Sequence, residues 1–130
     1  MTVLIVDDAG IMRMVLKDIL IKSTGLRAED IHESPNGLDG IAKYKSLHPD
    51  LVFLDISMPD IDGIATLKEI MKIDPSAKII MCAASNDETD ILECVKFGAR
   101  YYIEKPPRPE KVTQAYTKLL LISLKTKNLY

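Results

Sequence analysis

Two short apolar runs, Val3-Leu4-Ile5-Val6 and Leu51-Val52-Phe53-Leu54, each end in acid: Asp7-Asp8 after the first, Asp55 after the second. Runs this short, bounded by polar residues, read as strands buried on both faces of a parallel sheet. Between the strand signals the period changes. Met12, Val15, Leu16, Ile19 and Leu20 recur at helical spacing, predicting a helix from about Ile11 to Ser23, closed by Thr24-Gly25. A weaker strand falls at about Asp30–Ser34, and Pro35-Asn36-Gly37 is a turn signal. Further elements follow in order: a helix from Leu38 to Leu47, the strand Leu51–Leu54, a helix from Ile64 to Ile73 and a strand from Lys78 to Cys82. A fourth helix runs from an Asn86/Asp87 cap to Gly98, then a strand from Arg100 to Glu104 and a helix from Glu110 to Lys125.

Strand and helix alternate through five units. Parallel strands joined by right-handed helical crossovers bury both sheet faces, so the expected fold is α/β, a doubly wound three-layer αβα sandwich. A carboxylate just past such a strand lies at the carboxyl edge of the sheet, where open α/β folds bind ligands. Gathered carboxylates repel one another. A hard cation with oxygen ligands, Mg²⁺ above all, relieves that repulsion.

The chain has 130 residues, the length of one domain, with 47% hydrophobic and 28% charged residues. A formal charge of -2 gives no electrostatic case for nucleic acid or anionic membrane. The two cysteines, Cys82 in a strand and Cys94 in a helix, suit buried thiols in a reducing compartment. Leu119–Leu124 is too short to cross a bilayer, so no membrane insertion is expected. With no leader before Val3, a cytoplasmic location is expected.

The ordered motifs resemble the receiver domain of two-component response regulators. They are Asp7-Asp8, Asp55, Met58-Pro59, Asp62-Gly63 and Lys105-Pro106, with Arg13 and Gly98 also fitting. The resemblance covers the whole chain, residues 1–130, as a single receiver domain without an output domain. In this it is similar to the stand-alone chemotaxis regulators. The strand order 2-1-3-4-5 of the flavodoxin-like fold is implied by the resemblance, as is a cis Lys105-Pro106 bond. Asp55 is the implied phosphoacceptor. Asp8 and Asp55 are implied direct ligands of Mg²⁺, with the Ser57 backbone carbonyl as a third and Asp7 acting through water. Lys105 would pair with Asp55 at rest and with the phosphoryl group afterwards. Such a chain is not an enzyme in the ordinary sense: it catalyses only its own aspartyl phosphorylation and dephosphorylation. Ser57 flanks the acceptor and leaves room for an attacking water.

Two positions depart from the family pattern. Pro107 stands where an aromatic or apolar residue is usual. Ala83 stands where receivers carry the Thr or Ser whose hydroxyl bonds the phosphoryl group. A hydrogen bond to a charged acceptor contributes roughly 1.5–3 kcal/mol, so its loss weakens coupling by one or two decades in population. Either Ser85 substitutes for it, or coupling is weak or takes another route. Tyr102 matches the family's switch aromatic.

The resemblance implies a histidine kinase or phosphotransfer protein as donor, docking near helix 1, where Ile11, Met12 and Met14 lie. The implied output face is helix 4, strand 5 and helix 5, and the run Leu119-Leu120-Leu121-Ile122 with Leu124 exceeds one buried stripe. A monomer or weak dimer is expected. The leading expectation is a phosphorylation-dependent switch. A pseudo-receiver acting as a constitutive interaction module, or a phosphate shuttle or sink, is the alternative that Ala83 favours. A small-molecule aspartyl phosphatase fits poorly, because the acids at the first strand are adjacent and no cap domain is present. His32 and His48 are expected away from the acidic pocket.

Overall fold

The computed structural model describes residues 1–84 and 87–128, with side chains of the last helix described as far as Leu121. Its elements are β1 (Val3–Val6), α1 (Gly10–Thr24), β2 (Ile31–Ser34), α2 (Gly37–Leu47), β3 (Leu51–Asp55), α3 (Gly63–Ile73), β4 (Ile79–Ala83), α4 (Glu88–Lys96), β5 (Tyr101–Glu104) and α5 (Pro109–Asn128). A single 3₁₀ turn, Ala28–Asp30, leads into β2. The strands form one parallel sheet in the order β2-β1-β3-β4-β5.

The alternation of strand side chains divides the core into two layers. Val3, Ile5, Leu51, Phe53, Ile80, Cys82 and Ile103 pack against α1 and α5 through Leu16, Ile19, Leu20, Val112, Ala115 and Leu119. Leu4, Val6, Val52, Leu54, Ile79, Met81 and Ala83 pack against α2, α3 and α4 through Tyr44, Ile64, Leu67, Ile70 and Cys94. Every residue of β1, β3 and β4 is buried. That explains why these strands read as continuous apolar runs rather than as alternating ones.

The register delivers the acids. Val6 pairs with Leu54, so Asp7 and Asp55 leave the sheet side by side. Asp55 in turn pairs with Cys82.

Several boundaries differ from the sequence reading, for local reasons. β4 runs one residue later than expected, because Ala83 still pairs with Glu104 of β5. α2 begins at Gly37, since Asn36 is its cap and accepts the Asp39 N–H at 2.8 Å. α5 begins at Pro109, whose fixed φ and missing donor suit the first helical position. α4 stops at Lys96, and Gly98, at φ +104°, makes the turn toward β5. Gly25 closes α1 at φ +77°, as the Thr24-Gly25 signal indicated.

Of the expected apolar run in α5, Leu119 is buried, Leu120 packs against the core and Leu121 is exposed. The side chains of Ile122 and Leu124 lie outside the described residues, as do Ser85 and the proposed cap Asn86. Among the described residues no helix is long and apolar enough to cross a membrane.

Candidate functional site

The carboxyl edge of the sheet brings Asp7, Asp8 and Asp55 together, with one oxygen from each lying within 4.8 Å of the others. Asp7 and Asp55 are buried at 5% and 4% exposure, while Asp8 faces solvent. Lys105 enters from the end of β5. Its Nζ lies 2.7 Å from Asp7 Oδ2 and 3.0 Å from Asp55 Oδ1. The lysine therefore bridges both buried acids: it pairs with Asp55, as the resemblance implied, and with Asp7 as well. The Lys105-Pro106 bond is cis, as the resemblance implied.

The electrostatics follow from this burial. Removal from water pushes the Asp55 carboxyl up to about 6, and the neighbouring Asp7 carboxylate adds to the rise. Lys105 and the backbone N–H of Ser57 oppose it. For Lys105, burial alone would lower the ammonium, but its bonds to Asp7 and Asp55 outweigh that and hold it above its usual value. A desolvated acid cluster with one cation for two buried carboxylates fits the donor set of a divalent ion. Hard oxygen ligands on a pocket open at Asp8 suit Mg²⁺, which keeps several of its waters.

Supporting contacts fix Asp7. Asp7 Oδ1 accepts the Ala9 N–H at 2.9 Å, turning the chain into α1. Arg13 reaches back from α1, donating from Nη1 to the Asp7 carbonyl at 2.6 Å and from Nε to Glu33 Oε1 at 3.2 Å. With Asp7, Asp55 and Lys105, the apolar side chains of Met12, Leu16, Phe53, Cys82, Ile103 and Pro107 line a cavity of about 10 Å³. Pro107, the departure seen in the sequence, thus helps form the apolar floor.

The loop after β3 is folded tightly onto the acceptor strand. Ile56 N–H donates to the Cys82 carbonyl at 3.1 Å, and Gly63 N–H to the Ile56 carbonyl at 2.6 Å. A Cβ on Gly63 would fall 1.9 Å from the Asp55 carbonyl oxygen, so only glycine fits there. Asp62 caps α3 through the Ala65 N–H at 2.8 Å. Ser57 is exposed at the rim of the pocket.

The other sequence candidates are more scattered. Ala83 is buried at the end of β4 on the α3–α4 side, and its carbonyl accepts the Lys105 N–H at 2.7 Å. Tyr102, on β5, is half-buried and lines a cavity of about 80 Å³ with Ile91, Cys94 and Val95 of α4. His32 lies on β2, and His48 is the left-handed cap of α2 at φ 44°. Neither joins the acid cluster. Sequence reasoning missed Glu33, the partner that orients Arg13. It also missed Asp60, whose carboxylate reaches across to α2. Asp60 gave a signal only as one more turn former.

A five-stranded parallel sheet with a lysine-bridged acid cluster at its carboxyl edge defines a receiver-type α/β domain. Comparison with known proteins agrees. The family model of the response regulator receiver domain matches residues 3–117, and the chain belongs to that family. It is 49% identical over 117 residues to the chemotaxis protein CheY of Thermotoga maritima, covering 90% of this chain and 95% of that one. It is 45% identical over 118 residues to the chemotaxis protein CheY of Bacillus subtilis, covering 91% and 96%. Among solved structures, the CheX-CheY-BeF3-Mg²⁺ complex from Borrelia burgdorferi superposes with a TM-score of 0.82 at 33% identity, covering 92% of this chain and 88% of that one. The CheY-like receiver domain protein of Methanospirillum hungatei gives a TM-score of 0.87 at 26% identity, covering 96% and 97%.

Proposed function

We propose that this receiver is a signalling switch that takes a phosphoryl group on Asp55 from a histidine kinase, a phosphotransfer protein or a small phosphodonor. The observation that carries this reading is Lys105 bridging Asp7 and Asp55, both buried, at 2.7 and 3.0 Å. An ionised Asp55 oxygen attacks the donor phosphorus. The new O–P bond forms as the bond to the donor's nitrogen or oxygen breaks, and the leaving group departs with that electron pair. Lys105 stays within reach of the acceptor and offsets charge on the incoming group. Asp8, Asp55 and the Ser57 carbonyl would hold Mg²⁺ directly, with Asp7 acting through water. The bound ion supplies positive charge against the phosphoryl oxygens. The chain would act on itself alone and pass its state to a protein partner on the α4–β5–α5 face, where Leu92 and Val95 are exposed.

Ala83 favours a second reading, in which phosphate is accepted but moves α4 and β5 only weakly, as in a shuttle or sink. Intact mass with a small acyl phosphate and Mg²⁺, on wild type and Asp55→Asn, tests the first step. A single added phosphoryl group absent from the variant supports phosphorylation at Asp55. No addition with any donor, kinase included, leaves only a constitutive interaction module. Amide NMR then separates the readings. Shifts reaching Tyr102 and α4 mark a switch, and shifts confined to the pocket mark a shuttle or sink.

A further inference from the structure

The loop from Ile56 to Asp62 is held at its two ends. Ile56 is bonded to β4, and Gly63 is pressed onto Asp55. Its middle is exposed at Ser57, Pro59 and Asp60, and turn residues of this kind have many conformations to lose on ordering. Asp60 restrains it. Oδ1 of Asp60 accepts the N–H of Gly37 at 3.1 Å, and Oδ2 accepts the N–H of Leu38 at 2.9 Å. These are the first two donors of α2, which has no internal acceptor for them. Asn36 has already taken the Asp39 N–H as the ordinary cap. Asp60 therefore comes from a distant segment to bind donors that the local cap leaves open, and two elements are tied by one side chain.

The fit at this junction is close. A Cβ on Gly37 would lie 2.3 Å from Thr66 Oγ1 and 2.7 Å from Ile61 Cγ1. Glycine at 37 thus lets the loop and α3 close onto the start of α2. Asp60 is also kept ionised, because the backbone donors of Leu38 and its neighbours hold its carboxyl below the usual range.

We propose that Asp60 is a positioning residue that holds the β3–α3 loop, and with it the Ser57 backbone, in the geometry that receives the metal ion. The proposal rests on the reading of Asp8, Asp55 and Ser57 as the Mg²⁺ site. A residue that only capped α2 would affect folding stability but leave ion affinity alone. A residue acting only through its charge would attract the cation whatever its hydrogen bonds.

The test is calorimetric titration of the full chain with Mg²⁺ alone, beside thermal melts, for wild type, Asp60→Ala, Asp60→Asn and Gly37→Ala. Asp60→Ala is expected to weaken Mg²⁺ binding by about tenfold, the scale typical of residues that support metal ligands. Asp60→Asn removes the charge but keeps one acceptor oxygen toward the two α2 donors, so it is expected to weaken binding less than Asp60→Ala, by about threefold. Gly37→Ala disturbs the same junction from the other side. It should weaken binding in the same direction, which keeps the test decisive if Asp60→Ala folds poorly. Unchanged Mg²⁺ affinity in Asp60→Ala and Gly37→Ala, with only lower melting temperatures, overturns the proposal and leaves a helix cap. Equal weakening in Asp60→Asn and Asp60→Ala also overturns it, in favour of charge alone. Wild type that binds no Mg²⁺ removes the underlying metal reading, and the proposal with it. That outcome differs from the other two because it is seen before any substitution is made.

Discussion

The backbone N–H of Lys105 donates to the carbonyl of Ala83 at 2.7 Å. The end of β4 and the start of the lysine loop are therefore fastened through main-chain atoms, while the side chain at 83 is a single methyl group. The main chain ties this corner together, and the side chain at 83 offers no hydroxyl.

Ala83→Thr should strengthen the response without changing where phosphate goes. A hydroxyl bonded to a charged phosphoryl oxygen contributes roughly 1.5–3 kcal/mol, equivalent to one or two decades in the active population. Amide NMR of the phosphorylated protein would show larger shifts at Tyr102 and along α4 in the variant than in wild type. If both proteins respond equally, signal reaches α4 by a route that does not use this position.

Gly63→Ala should be severely destabilising. The added Cβ would sit 1.9 Å from the Asp55 carbonyl oxygen and 2.6 Å from Ile56 Cα, both backbone atoms that cannot swing aside. Moving β3 to make room would disturb a strand buried along its whole length. A loss of about 2–4 kcal/mol is expected by urea denaturation, together with slower phosphorylation of Asp55. Gly10→Ala makes a control, because its Cβ would meet only Arg13 Nη2, at 3.5 Å.

The layer structure and the acid cluster were legible because burial on both faces writes itself into sequence as apolar runs. Val3–Val6 and Leu51–Leu54 need no partner information to be recognised, and a carboxylate after each follows directly. Strand order was not legible from pattern and came from resemblance. The misplaced end of β4 shows the limit: whether Ala83 is the last strand residue or the first loop residue depends on Glu104 across the sheet, which no local signal at 83 contains. Asp60 shows a different limit. Between Pro59 and Gly63 an aspartate looks like a turn former, and only the tertiary approach of α2 reveals that its oxygens bind Gly37 and Leu38. Likewise, charge alone could not tell that Lys105 would bridge two acids rather than one.

Neither thiol should react in the native state. Burial pushes Cys82 up to about 12, against the opposing charge of Lys105, and pushes Cys94 up to about 11, helped by Asp90 and Glu93. The thiolate is the nucleophile, so both groups are nearly absent in reactive form at pH 8. An aromatic disulfide reagent should find no reactive thiol in the folded protein and two after denaturation. A fast native reaction at Cys82 would mean that the floor of the acidic pocket opens readily.

Asp55 should add to the stability of the metal-free protein as pH falls toward 4. Its folded-state value of about 6 lies above the ordinary aspartate value of 3.8. The folded protein therefore takes up this proton before the unfolded chain does. Above pH 6 the ionised carboxylate is desolvated beside Asp7 and destabilises the fold. As pH falls through 6 toward 4 that penalty disappears. A shift of this size corresponds to about 3 kcal/mol between pH 7 and pH 4. Other carboxylates act in the opposite direction: the neighbouring Ser34 hydroxyl and Lys43 hold Asp39 low, so its stabilising contribution is lost in acid. The informative quantity is thus the difference between wild type and Asp55→Asn, measured by urea denaturation at each pH. Asp55→Asn should be the more stable protein at pH 7, and the two curves should converge as pH approaches 4. Parallel curves would mean that Lys105 already satisfies Asp55, and that the pocket has no charge left for a cation to relieve.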